Sequence, residues 1–154
     1  MDYLFVKLIH IISATILFGT GIGSAFYMFM ANRKKDIHAM AFVVKTVVIA
    51  DWIFTSPAVI IQLLSGLYMV YLAGYDLSWT WLKWGLILYL FAGICWLPVV
   101  YFQIRMEKML DKAIKENAPI PDLYWRFDFW WILLGSLAFP AVMVIFYLMV
   151  IKPN

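Results

Sequence analysis

The sequence predicts an all-α membrane protein, a bundle of four transmembrane helices, on three observations. Of its 154 residues, 66% are hydrophobic and only 14% charged, where soluble domains carry about 25% charged residues. The apolar residues fall into four stretches, each long enough for the roughly 20 residues that cross a bilayer as a helix. Polar breaks separate them: the cluster Asn32-Arg33-Lys34-Lys35-Asp36, the turn Gly74-Tyr75-Asp76-Leu77-Ser78, and the proline pair in Ala118-Pro119-Ile120-Pro121. Residues 1–154 form a single transmembrane domain with little chain left over for a soluble lobe.

The first span covers about residues 4–30; apart from His10, no residue from Leu8 to Ala31 is acidic or basic. Its positive charges, Arg33, Lys34 and Lys35, follow the apolar run. A cleaved signal peptide has the reverse order and a shorter core, so the segment is a span. The second span covers about residues 48–73, preceded from residue 40 by an interfacial helical piece and closed at Gly74. The third covers about residues 79–102 and continues as the amphipathic stretch 103–117 until two prolines end it. The fourth covers about residues 127–151, with a kink expected at Pro140.

Orientation follows from the loops. Arg33, Lys34, Lys35 and Lys45 flank the first connection, and Arg105, Lys108, Lys112, Lys115 and Arg126 flank the third. The second carries only Asp76 between its flanks. The positive-inside rule makes the first and third connections cytoplasmic and puts the N- and C-termini on the outer (periplasmic or extracellular) side. Trp79, Trp81 and Trp84 at one end, and Tyr124, Trp125, Trp130 and Trp131 at the other, read as interfacial belts. The net charge of +3 belongs to this loop pattern and indicates no nucleic-acid partner.

Two spans carry polar stripes. Lys7, His10, Ser13, Ala14, Gly21 and Ser24 follow one another at helical spacing in the first, and Asp51, Thr55, Ala58, Gln62, Ser65 and Met69 do so in the second. Lipid offers such groups no partners, so the stripes should face each other. Gly19 and Gly23 add a small-residue pair that lets another helix approach closely, a homo-oligomer contact. At matching depth in the outer leaflet the topology brings together His10, Gln62, Ser65, Met69 and Lys83. A polar nitrogen in hydrocarbon costs about 2.5–3.5 kcal/mol on insertion scales for full charges, so His10 is the first candidate site residue.

A neutral imidazole can ligate haem iron through one nitrogen while the other is held by an acceptor. In that reading His10 is the metal ligand, and Lys83 pairs a propionate or an anionic quinone. Met69, Gln62, Ser65 and Ser13 then make secondary contacts. Against it, His10 and Ser13 can be simple interhelical hydrogen-bonding residues, and Lys83 can snorkel beside its tryptophans. Asp51 is expected to pair with Lys45 or another basic residue, with proton relay as the alternative, and His38 to be solvated. Cys95 alone excludes an intrachain disulfide, a multi-cysteine metal site and an iron–sulfur cluster. No phosphate-binding loop, nucleophile elbow or paired-histidine zinc motif is present. The spans hold no second histidine, so one chain cannot supply two axial histidines unless His38 reaches in.

The run Val6-Lys7-Leu8-Ile9-His10-Ile11-Ile12-Ser13-Ala14, the run Leu17-Phe18-Gly19-Thr20-Gly21-Ile22-Gly23-Ser24-Ala25-Phe26, and Trp81-Leu82-Lys83-Trp84 resemble an uncharacterised family of four-helix bacterial integral membrane proteins. More distantly, a histidine in the first span and a lysine opening the third resemble the HemJ and CopD-like membrane protein families. The resemblance implies a multi-pass protein of the bacterial inner (plasma) membrane. It also implies haem b as cofactor, with His10 and Lys83 in the places of the HemJ histidine and lysine. The surrounding residues differ from HemJ, and no CopD-like Met/His cluster is present. Three functions follow as expectations. The first is a haem-b-binding redox protein, HemJ-like or linked to quinones, with quinone or porphyrin as partner. The others are a small-molecule or metal transport protein and a non-catalytic accessory subunit.

Overall fold

In the computed structural model, which describes residues 2–153, Asp2 starts the first helix by accepting the Leu4 amide on its carboxylate at 3.4 Å. Helix α1, Tyr3–Lys34, runs 32 residues, about 48 Å at 1.5 Å per residue. It ends at Lys35, whose left-handed backbone (φ 57°) caps it. The Asp36 carboxylate then accepts the amides of His38 (2.9 Å) and Ala39 (3.2 Å) and so opens α2, Ile37–Ala50.

No break follows α2. One π-helical turn, Asp51–Thr55, joins it to α3, Ser56–Ala73, and residues 37–73 form one rod long enough to cross a membrane. Within the turn the Ser56 amide donates to the carbonyl of Asp51, five residues back. Pro57 lies in the first turn of α3. It has no N–H to offer residue 53, and a widened turn relieves the clash of its ring with that carbonyl. The interfacial piece and the span expected from about residue 48 are thus one helix, with its irregularity at 51–55.

Gly74, in left-handed conformation (φ 65°), closes α3 and donates to the carbonyls of Tyr71 and Val70. Helix α4, Thr80–Glu116, is unbroken through Pro98, and the amphipathic stretch 103–117 is its last part. Asn117 (φ 49°) caps it, and after the prolines α5, Asp122–Ile151, runs continuously through Pro140. The four long apolar rods are the four spans expected, and the described residues are all-helical apart from short connections.

The tightest packing is α1 on α3 and α4 on α5, with α2 joining α1 to α4. The larger core lies at the end carrying most of the basic residues, where Met28, Met40, Val44, Met106, Leu110 and Tyr124 are fully buried. A smaller core at the opposite end holds Trp81, Leu82 and Leu148. Three residues expected in the interfacial belts are therefore core residues: Trp81, Tyr124 and Trp131 are 5%, 0% and 6% exposed. Burial on the packed face takes them out of the lipid boundary, while Trp79, Trp84 and Trp130 do face outward. Large apolar side chains such as Phe42, Trp52, Tyr71 and Val150 cover the exterior, as a lipid solvent requires.

The two tight pairs touch each other more sparingly. Phe18 on α1 meets Phe139 (5.6 Å) and Phe146 (5.4 Å) of α5. The Tyr89 hydroxyl of α4 donates to the Val59 carbonyl of α3 at 2.6 Å. Between the pairs lies a cavity of about 730 Å³ walled by α1, the π turn, α3, α4 and α5.

Candidate functional site

The two stripes read from the sequence face each other in part: His10 and Ser13 meet Gln62 and Ser65, while Lys7 and Gly21 are exposed and Ser24 donates to the Gly21 carbonyl of its own helix. Ser13 and Ser65 are buried and His10 and Gln62 half-buried, all four on the α1–α3 seam. His10 Nδ1 lies 2.9 Å from Ser65 Oγ, and His10 Nε2 lies 2.9 Å from Gln62 Nε2. Ser65 spends its proton on the Ile61 carbonyl, 2.5 Å away, so its oxygen accepts from His10 Nδ1–H. The Gln62 amide then donates to Nε2, and the imidazole is the neutral Nδ1–H tautomer. Gln62 Oε1 accepts from the Ser13 hydroxyl, which also lies 2.9 Å from the His10 carbonyl. Gly66 makes room for the ring: a Cβ there would sit 3.1 Å from His10 Cε1.

Two expected members stay outside this cluster. Met69 is half-buried one turn further along α3 and makes no hydrogen bond to His10. Lys83 is exposed on α4 and joins the cluster through neither a hydrogen bond nor an ion pair. The inward face of α4 is set by Trp81, Leu82 and Gly85; Lys83, two residues past Trp81, points about 200° away around the helix. The lysine engaged at this end is Lys152, with Nζ 5.3 Å from the Tyr75 ring centre and 5.1 Å from that of Trp81. Among the described residues no three His, Cys, Asp or Glu side chains gather as a metal set. His38 is exposed, as expected.

A second polar cluster sits deeper. Asp51 is 5% exposed, and its Oδ1 accepts from the Thr55 hydroxyl at 2.8 Å. In the amide orientation that satisfies all partners, Gln103 Nε2 donates to Asp51 Oδ2 at 2.7 Å and Gln103 Oε1 accepts from Trp131 Nε1 at 3.1 Å. The expected pairing of Asp51 with Lys45 is not made: Lys45 is exposed, and Lys112–Glu116 is the one ion pair among the described residues. The reason is helical phase. Asp51 lies on the inward stripe with Thr55 and Ala58, while Lys45 lies beside the inward Val44 and Val47 and turns to the outside.

A third cluster, not foreseen, ties α1 to α5. Asn32 Nδ2 donates to Asp128 Oδ1 at 2.6 Å, and the buried Tyr124 hydroxyl donates to Asn32 Oδ1 at 2.7 Å. Among the described residues no buried side-chain nitrogen or oxygen is left without a partner.

Asp51, Thr55, Gln62 and Gln103 all line the cavity, together with Trp96, Trp131 and a wall of apolar side chains. Asp51 and Gln103 mark one end; Gln62, behind which His10 is held, marks the other. The eleven helical steps from residue 51 to residue 62 span about 16 Å. A volume of about 730 Å³ falls within the roughly 300–1,000 Å³ of small-molecule sites, and apolar walls with a few convergent polar groups are their usual make-up.

Residues 4–153 match the family described as "Predicted integral membrane protein (DUF2269)". No curated protein matches the chain, and no solved structure does. The match spans nearly the whole sequence, and the chain belongs to this family of integral membrane proteins of unknown function.

Proposed function

We propose that this integral membrane protein holds a lipophilic small molecule of quinone or porphyrin size in the cavity between its four helices. The observation that carries the reading is the cavity itself, about 730 Å³, apolar along its walls and polar at two separated ends. A lipophilic ligand enters from the bilayer at little desolvation cost and is oriented by the few hydrogen-bonding groups it meets. The loop charges support an orientation with both termini outside, which puts the Gln62 end of the cavity in the outer half of the membrane.

Haem b is the most specific form of this reading, with His10 as axial ligand. It requires the Gln62 amide to swing off Nε2, because both imidazole nitrogens are engaged. Haem would supply redox chemistry; the chain would supply His10 as ligand and Ser65 to hold Nδ1–H. Lys83 faces away and would not reach a propionate beside His10. The full hydrogen bonding of His10 equally favours an accessory subunit whose polar residues only join helices.

The test is a titration of the detergent-purified chain with decylubiquinone and with haemin. Saturable quenching of tryptophan emission, through Trp96 and Trp131 in the wall, supports the reading. It should be lost when Gly93, which lines the cavity and has open space at its Cβ position, is changed to Phe. A Soret band that needs His10 and strengthens in Gln62→Leu selects haem b. No saturable change with either compound overturns ligand binding and leaves the accessory subunit.

A further inference from the structure

The charge inventory of the cavity wall, taken as a ligand site in the sense just proposed, narrows the class of ligand. The wall carries one carboxyl, that of Asp51, and no Lys, Arg or His among the described residues. Its apolar lining is rich in aromatic rings, among them Phe18, Phe29, Tyr89, Trp96 and Phe146. Thr55 and Gln103 hold the Asp51 oxygens, and neither brings a charge. The titratable groups on the surrounding elements do not supply one either. On α4, Tyr89 turns its hydroxyl to Val59 and Cys95 is buried; on α5, Asp128 is engaged by Asn32. Lys45 of α2 is exposed, and α1 puts no ionisable side chain into the wall.

We propose that the cavity takes a lipophilic cation, its positive group against Asp51 and its apolar groups among the aromatic rings. An ionised carboxylate enclosed in an apolar wall needs a countercharge. Here that charge comes from a proton on the carboxyl itself or from a bound cation. Aromatic faces carry the negative side of a quadrupole and add attraction for a cation. An anion of the same shape meets a carboxyl and no base. When the cation binds the protonated site, the carboxyl O–H bond breaks, the proton passes to water, and the carboxylate pairs with the ligand. Release reverses this. Proton and cation therefore compete for one position.

Tetraphenylphosphonium and tetraphenylborate, equal in shape and opposite in charge, are titrated into the detergent-purified chain by calorimetry, with empty micelles subtracted. The cation should bind and outcompete the anion. Its affinity should rise with pH by up to about tenfold per unit, and the heats in buffers of different ionisation enthalpy should report one proton released per cation. Asp51→Asn should weaken cation binding at least about thirtyfold, and Asp51→Glu should restore part of it. The pH and buffer series on the unaltered chain stand even if Asp51→Asn misfolds. Equal binding of cation and anion, or unchanged binding in a folded Asp51→Asn, overturns the proposal. So does decylubiquinone binding without cation binding, which leaves the cavity a ligand site. Failure of every compound removes the cavity as a ligand site and the cation proposal with it.

Discussion

Gln103→Leu removes the one side chain that joins α4 to both the π turn and α5. Leucine nearly matches the volume but offers no polar atom. Asp51 Oδ2 then loses a 2.7 Å donor and Trp131 Nε1 loses a 3.1 Å acceptor, both at sites only 5–6% exposed. Each orphaned buried group costs about 1–3 kcal/mol by soluble-protein experience. In membrane proteins side-chain hydrogen bonds average about 0.6 and reach about 1.7 kcal/mol, because the unfolded chain also finds partners. The lower scale governs the Trp131 bond, and the carboxyl bond lies nearer the upper one. The expected total is about 1–3 kcal/mol. Unfolding in mixed micelles with rising sodium dodecyl sulfate, followed by tryptophan emission, measures it. The double variant Gln103→Leu/Asp51→Leu should lose less than the sum of the two single changes, because the orphaned carboxyl is gone. Strict additivity, or an unchanged midpoint for Gln103→Leu, refutes the assigned network.

Changes at four further positions test the rest of the structure. Gly66→Val should cost about 1–3 kcal/mol by pushing the His10 ring off Ser65 and Gln62. Gly66→Ala should stay within about 1 kcal/mol, since helix propensity offsets a tight 3.1 Å contact; the same unfolding assay reads both. Tyr124→Phe should lose about 1 kcal/mol with the hydroxyl that binds Asn32, whereas Lys83→Gln, on an exposed face, should change stability by less than about 0.5 kcal/mol. The Ser78 amide donates to the exposed Asp76 carboxylate at 2.8 Å and holds its pKa below the usual carboxylate range. A depressed folded value means that the turn's contribution is present at neutral pH and is lost as pH falls through that value. The Ser78 amide shift should titrate accordingly, and in Asp76→Asn it should stay flat.

Much of this was legible because membrane helices write their inward faces as polar residues at three- and four-residue spacing. The stripe Asp51, Thr55, Ala58, Gln62, Ser65 faces inward as its spacing implies, and His10 and Ser13 meet it. What stayed hidden has physical reasons. Gln103 lies where a span passes into a charged amphipathic stretch, and Asn32 stands beside three basic residues. A polar side chain is unremarkable in either place. Their partners, Trp131 and Asp128, are on α5, and nothing local signals contacts so distant in sequence. Depth along the span puts Lys83 level with His10, but the rotation of α4 turns it outward. Trp81 and Trp131 look like boundary aromatics by position and are buried because their helices turn them inward. The cavity belongs to no residue pattern: it is the space left between two tight helix pairs that meet at scattered points, among them Phe18, Tyr89, Gln103 and Asn32.

The widened turn at Asp51–Thr55 also sets how the second rod tolerates changes in length. It uses five residues where an α-helix would use four, so the extra residue is absorbed and the segments on either side keep their helical faces. Deleting one residue there would restore regular winding and leave both Met40, Val44 and Val47 and Ala58, Gln62 and Ser65 aimed as they are, whereas deleting one elsewhere in the rod would swing one set by about 100° against the other. The cost would fall on Pro57, whose ring would then meet the carbonyl four residues back. The turn is slack held in the rod, a place where it can lose a residue without losing its aim.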